Sequence, residues 1–406
     1  GLGDVYKRQA LILLLAAAFP LSGCFDANIP SGLACGEESI CPPGNECVAG
    51  VCQVQGFPGE DAGALDASVG DASAGDASSS DASASSSDAG PFCLGCVLRW
   101  QEVTPADSPP RRRGHAMSYD SARGKILLFG GVDSSGNLDD TWEWDGESST
   151  WTELSPAGDS PAPRYYHSMS YDALASRVVL FAGLRNFNQN EYFSDTWTWN
   201  GTSQAWTNTG VSGASKRFAH ASVYDSLRQK VVMVAGTVAG GRFKDTWEWS
   251  NGSWTEIIPS NTIPRTRWGH AMAYDKVNQH TLMFAGKGTI ADPLLQDFWT
   301  WQGNAWTEIV AANPPPRRSL HVMDYHEQAG VSVVFGGRDD DDNPRGDTWT
   351  WNGEIEEWDQ LTLPLAPMAR KDSAMVYDSE RGCMLLFGGY DTDYLSDTWE
   401  LCYVSP

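Results

Sequence analysis

Six arginines are the first candidates for chemistry: Arg112, Arg164, Arg217, Arg267, Arg318 and Arg370. Five are followed three residues later by a histidine, at His115, His167, His220, His270 and His321, and Ser373 takes the sixth place. Arginine presents a planar fork of donors that matches a carboxylate and stacks on aromatic rings. A recurring Arg-x-x-His therefore reads either as an anion-recognising ring or as a bonding unit that every copy of a repeat needs. The histidines read better as groups hydrogen-bonded within their repeats than as metal ligands. Other candidates stand where the pattern is interrupted. Tyr165 and Trp268 directly follow motif arginines, and Lys371 precedes Asp372 where the histidine is missing. Arg185, Arg242 and Arg338 lie in variable loops, the last ahead of Asp339, Asp340, Asp341 and Asp342. Aromatic faces beside charged groups suit a sugar or a peptide. The aspartate run lacks the spacing of a calcium loop, so no metal is expected there. The chain contains no G-x-S-x-G, H-E-x-x-H or P-loop, so no catalytic residue is assigned and no cofactor is called for.

The elements that position these groups are written in a second motif. DTWEW at 140–144 returns as DTWTW at 195, DTWEW at 245, DFWTW at 297, DTWTW at 347 and DTWEL at 397. Tyr119, Tyr171, Tyr224, Tyr274, Tyr325 and Tyr377 mark the same period, 50 to 53 residues. A period of this size signals a propeller or a solenoid. Each unit holds a short alternating run after the histidine and an apolar run ending in small residues, as in ILLFGG or RVVLFAG. A variable loop, the Asp-x-Trp strand and a last strand such as WTEL follow. Turn-bounded runs of this kind predict a four-stranded antiparallel sheet with large residues on both faces, which stacking as blades around an axis would bury. The aspartates of the motif are expected to cap the loop entering the third strand or to pair with a neighbouring arginine.

The apolar run with Gly-Gly, the spaced aromatics and the later Trp resemble the kelch repeat over about residues 98–406. The resemblance implies an all-β, six-bladed propeller with the first strand of each blade innermost, and a ligand received at the channel mouth. Units two, three and four depart from Gly-Gly, with Ala182, Ala235 and Ala285, which fit only if φ there is negative. Trp100-Gln101-Glu102-Val103 matches the fourth strand while the chain stops after a third strand, so the N-terminal strand should complete the last blade. That removes an open sheet edge. Cys383 and Cys402 on neighbouring strands are expected to pair directly, or Cys402 to pair with Cys93 or Cys96. Some propellers of this type are enzymes, so a carbohydrate-acting epimerase or oxidase is the alternative reading.

The rest of the chain reads as export and display. After GLGDVYKRQ, which looks like a scar, residues 10–20 are apolar and lead to Leu-Ser-Gly-Cys24, which resembles a bacterial lipobox with Cys24 as the lipidated residue. Residues 1–23 are thus a signal segment and 24–34 an anchor and spacer. Cys35, Cys41, Cys47 and Cys52 form a disulfide knot at 35–52, too short to build a core without them. Residues 53–92, rich in Ala, Ser and Asp, form a disordered linker, and 93–406 the propeller. With 52 acidic against 28 basic residues and a net charge of -24, nucleic acid is excluded as a nonspecific partner. The expectation is a monomeric lipoprotein of the bacterial cell envelope, on the outer membrane or cell surface, touching the membrane through Cys24 only. Its propeller would recognise a protein or glycan.

Overall fold

The computed structural model describes residues 45–48, 51–54 and 95–405 apart from 212, 290 and 292. The chain divides into two compact units, Gly1–Ser86 and Ser87–Pro406. In the first, strands Asn45–Val48 and Val51–Val54 form an antiparallel hairpin whose register sets Cys47 across from Cys52. The second of these strands runs into the start of the expected linker. Cys24, Cys35, Cys41, Cys93 and residues 55–92 lie outside the described residues. No helix among the described residues is long and apolar enough to cross a membrane.

Six four-stranded antiparallel sheets make the second unit. Blade one runs Ala116–Asp120, Lys125–Val132, Asn137–Asp145 and Thr150–Leu154, and blade two Ser168–Asp172, Arg177–Asn186, Glu191–Asn200 and Ala205–Asn208. Blade three is Ala221–Asp225, Lys230–Val234, Thr246–Ser250 and Ser253–Ile257; blade four is Ala271–Asp275, His280–Phe284, Phe298–Trp301 and Trp306–Ile309. Blade five is Val322–His326, Val331–Phe335, Thr348–Asn352 and Glu357–Leu361. Blade six takes Ala374–Asp378, Cys383–Tyr390 and Tyr394–Val404 from the C-terminal end, and its fourth strand is Val97–Val103. The first strands touch their neighbours in order around the ring, and the sixth touches the first. The ring thus closes as the repeat phase requires. Cys383 and Cys402 face each other across blade six and are disulfide-bonded; Cys96 is disulfide-bonded as well.

The side chains explain why the motifs repeat. Second strands are almost wholly apolar because both faces are covered: Leu128, Phe129, Leu180, Met233, Leu282, Val334 and Leu386 are essentially solvent-free. Burying such side chains fully is worth about 1.5–3 kcal/mol each. Neighbouring blades are also tied by polar links. The fourth-strand indole N–H of Trp206 donates to Thr141 in the preceding blade, Trp254 to Thr196, Trp306 to Thr246, Trp100 to Thr348 and Trp151 to Thr398, all at 3.0–3.2 Å. Blade four carries Phe298 where the others have threonine. Across that junction the Trp358 indole N–H is buried without an acceptor, and Phe298 packs on the Trp358 and Trp351 rings instead.

Candidate functional site

Each motif arginine is fully buried and makes one fixed set of bonds. Arg164 shows the pattern. Its Nη1 and Nη2 donate to Asp195 at 2.7 and 2.8 Å, Nη1 also donates to the Ala182 carbonyl at 2.9 Å, and Nε donates to the Ala162 carbonyl at 3.0 Å. Asp195 Oδ2 accepts the Trp197 indole N–H as well, at 2.7 Å. The same latch joins Arg112 to Asp140, Arg217 to Asp245, Arg267 to Asp297, Arg318 to Asp347 and Arg370 to Asp397. This corrects the expectation that the six arginines ring the channel mouth as ligand donors, because their donors are committed inside their own blades. Burial alone would push Asp195, Asp347 and Asp397 up, but the arginine bonds outweigh it and hold these carboxyls below their ordinary range.

The latch also explains the small residues. The carbonyl it captures belongs to the residue that ends the apolar run, and that residue is left-handed: φ is 62° at Gly130 and 58° at Ala182, Ala235 and Ala285. Positive φ is the condition under which alanine was not expected to fit, and the three alanines are therefore strained. The glycine after each of them admits no replacement. A Cβ on Gly131 would lie 3.0 Å from the Arg113 carbonyl and from His115 Cβ, and one on Gly337 would lie 2.7 Å from the Ser319 carbonyl.

The histidines work between blades. His115 packs edge-on against Phe387, His167 against Phe129, His220 against Phe181 and His321 against Phe284, each phenylalanine belonging to the preceding blade. His220 Nε2 lies 2.9 Å from Ser168 Oγ, again across a blade boundary. Hydrogen bonding within blades was the expectation; wedging between them is the finding. Burial, and then the charge of the adjoining motif arginine, pushes His115, His220 and His321 down to about 3, so they are neutral imidazoles.

One residue past each motif arginine the sequence varies from blade to blade. The residues after the motif arginines are Arg113, Tyr165, Phe218, Trp268, Ser319 and Lys371. Each is held by a short antiparallel bridge to its own blade's second-strand extension, at Val132, Leu184, Thr237, Lys287, Arg338 and Tyr390. The next residues, Gly114, Tyr166, Ala219, Gly269, Leu320 and Asp372, are left-handed, with φ from 51° to 63°. Their amides form a closed ring of hydrogen bonds. Tyr166 donates to Gly114, Ala219 to Tyr166, Gly269 to Ala219, Leu320 to Gly269, Asp372 to Leu320 and Gly114 to Asp372, at 2.7–3.0 Å. This hoop constricts the channel. Below it lies the main channel cavity of about 280 Å³, walled by the first strands and including the six repeat tyrosines.

The hoop and the loops joining second to third strands make one face, called here the loop face. Tyr192 stacks on Phe218 with ring centroids 5.5 Å apart, and Tyr165, Tyr166 and Trp268 pack onto the same cluster. Arg338 lies 5.4 Å over Trp268 and donates to Ser319 and Asp342. Lys371 also donates to Asp342, at 2.7 Å. Arg113 covers the Tyr390 ring at 4.6 Å and approaches Asp372 at 3.6 Å. Burial pushes the Asp372 carboxyl up, with Arg113 opposing. So Tyr165, Trp268, Arg338 and Lys371 are brought together around the axis. Arg185 is exposed, 3.7 Å from Glu191, and Arg242 is half-buried in the loop of blade three. Asp339 is spent on capping its own loop, accepting from Asp341 and Asn343. Sequence reasoning missed Arg113, Tyr166, Phe218 and Tyr390. Reading the positions one and two after every motif arginine would have found the first three.

The Kelch-repeats domain model described for KLHDC2, KLHL20 and DRC7 matches residues 96–251 and 247–405. The chain belongs to the kelch-repeat family. Similar proteins include a Rab9 effector protein with kelch motifs from Rattus norvegicus, 27% identical over 39% of this chain and 41% of that protein. An Adagio-like protein 1 from Oryza sativa subsp. japonica is 33% identical over 30% of this chain and 21% of that protein. The flagellar outer-arm dynein alpha chain of Chlamydomonas reinhardtii is 28% identical over 30% of this chain and 3% of its own length. The kelch propeller spans less than half of each of these relatives.

Proposed function

We propose that this kelch propeller recognises a protein partner through its loop face and is displayed from a cell envelope by a lipid on Cys24. The observation that carries the reading is the contrast at consecutive positions. The motif arginine is the same in all six blades, whereas the bridged residue after it is Arg, Tyr, Phe, Trp, Ser and Lys in turn. A frame that holds six different side chains in equivalent places is suited to an asymmetric partner. Kelch propellers commonly serve as protein-interaction modules, and the name of the Rab9 effector relative accords with that role. The envelope reading rests on the Leu-Ser-Gly-Cys24 motif and the acidic stretch behind it.

A glycan ligand fits less well. Sugars cover open aromatic planes, and here Tyr192 and Phe218 cover each other while cations cover Tyr390 and Trp268. The carbohydrate-enzyme reading drew on arginines and histidines around the channel, and the fold spends those on latches and wedges. The test is photo-crosslinking on intact cells, with the probe residue at Trp268 on the loop face or at exposed Leu174 in the first turn of blade two. Protein crosslinks from position 268 and none from 174 are expected. Crosslinks from 174 alone would move recognition to the opposite face.

A further inference from the structure

In a chain with 52 acidic and 28 basic residues, an arginine or lysine without a carboxylate partner is the exception. Charged pairs account for most of the described cations, including all six motif arginines. Among the described residues, Lys216, Arg242, Lys244, Arg265 and Arg317 have no carboxylate within ion-pair distance, and Lys216, Lys244, Arg265 and Arg317 are exposed. The backbone sets Arg265 along the loop that carries Arg242 and Lys244, and Arg317 along the next loop, while Lys216 lies by Tyr192 of blade two. The segment leading into blade four lies along the loop of blade three, where Arg267 N donates to the Phe243 carbonyl. The segment leading into blade five lies along the loop of blade four, where Arg318 N donates to the Leu295 carbonyl. Arg99 and Arg177, also without ion pairs, lie in blades six and two, and Arg345 lies in the loop of blade five.

Within this sector is a cleft of about 480 Å³. Arg265 and Arg317 line it, with Ile263, Leu294, Leu295 and Trp299 supplying apolar wall. Asp297 also borders it but is committed to Arg267 and Trp299. Two acidic features bound the cleft. Exposed Glu308 lines it on the fourth strand of blade four. The aspartate loop of blade five meets it at Leu294, whose N–H donates to Asp340 at 2.6 Å. We propose that this off-axis cleft binds a short acidic segment, carrying an apolar side chain, of a protein partner. The acidic borders decide between polymers. A uniform polyanion such as a sulfated polysaccharide or nucleic acid would run from the arginines onto like charge, which costs affinity, whereas a protein segment can end its acidic run where the sector ends. The apolar wall gives such a segment an anchor that a polysaccharide does not use.

The inference rests on the loop face being the recognition surface, and its test separates the two. Full-length protein is titrated with a fluorescein-labelled peptide rich in glutamate and containing leucine. A lysine-for-glutamate version and a short heparin oligosaccharide are the comparison probes. Two double variants carry the same charge change, Arg265→Glu with Arg317→Glu in the cleft and Arg99→Glu with Arg177→Glu outside it. Unchanged melting of each variant shows that it is folded. The cleft variant is expected to weaken the acidic peptide about tenfold or more, equivalent to 1.4 kcal/mol. The outer variant should leave binding within about twofold, with added salt weakening it. Equal losses in both variants, no acidic-peptide binding, or equal binding of the lysine peptide would overturn the cleft. Heparin binding as tightly as the peptide would overturn the protein assignment. If the cleft fails while crosslinks from position 268 persist, loop-face recognition stands and only this occupant falls.

Discussion

Arg317 and Arg318 are chemical twins one peptide apart, and they belong to two different regions. Arg318 is sealed inside blade five, donating to Asp347, to the Gly336 carbonyl and to the Pro316 carbonyl. Arg317 is exposed on the cleft with no carboxylate within ion-pair distance. The inner region repeats the same bonds six times; the outer region repeats only the backbone that holds it. What is identical in every blade builds the ring, and what differs is free to recognise. A residue's type alone said nothing about which of the two it served.

The contrast breaks most sharply at the twins themselves. Arg318→Ala leaves Asp347 partly buried without its partner and is expected to cost about 3–5 kcal/mol. Arg317→Ala should stay within about 0.5 kcal/mol of the parent. Urea unfolding of the two variants checks both, and equal losses would erase the distinction between regions.

Acid should attack the inner region selectively. His115, His220 and His321 titrate at about 3 in the folded protein and near 6.5 when unfolded. Below about pH 6.5 the unfolded chain therefore takes up protons that the folded one refuses. Stability is full above that pH and falls by about 1.4 kcal/mol per unit for each histidine as the pH drops toward 3. Asp324, raised to about 6 mainly by burial in the channel wall, works the other way. Its contribution is full below about pH 3.9 and is lost as the pH rises through 6, so it offsets part of the decline between 6 and 4. Calorimetry from pH 7 to 4 should show a steady fall in melting temperature. A flat profile would mean that the histidines are not held neutral.

Two smaller effects sharpen the picture inside the ring. Ala182→Gly, Ala235→Gly and Ala285→Gly each relieve a left-handed alanine and should stabilise by about 1 kcal/mol in thermal melts; a loss would mean that the methyl packing outweighs the strain. At the odd junction, Trp358→Phe removes an indole N–H that has no acceptor, whereas Trp254→Phe orphans Thr196. Both lose ring volume, and the second should cost about 1 kcal/mol more by urea unfolding. Equal costs would show that the Thr–Trp bonds contribute nothing net.

The ring was legible because it is periodic. Six copies of Asp-x-Trp fixed blade number, strand order and the closing role of Trp100, and the alternative that the aspartates pair with arginine was present in the spacing. The burial of all six arginines was not, because a fork suited to a ligand carboxylate is equally suited to Asp195. Left-handed Ala182 was hidden for a similar reason: the carbonyl that Arg164 captures is a backbone atom, and no side chain signals it. The cleft was hidden too, since Arg265 and Arg317 lie in different repeats. Their lack of carboxylate partners is visible only once the structure shows which cations have found one.

Closure by the N-terminal strand has a kinetic consequence. Gln101 bonds to Glu400 across 299 residues of sequence, and Trp100 to Thr348 across 248. Blades one to five can form from local hairpins as the chain emerges, but the Trp100 contact waits for Thr348 and the Gln101 contact for Glu400. Such long-range closure is slow, because the loop entropy is spent before any contact offsets it. Until then the third strand of blade six, Tyr394–Val404, stands as an unpaired edge, and the time it stays open sets how long the chain is exposed to misassembly with its neighbours.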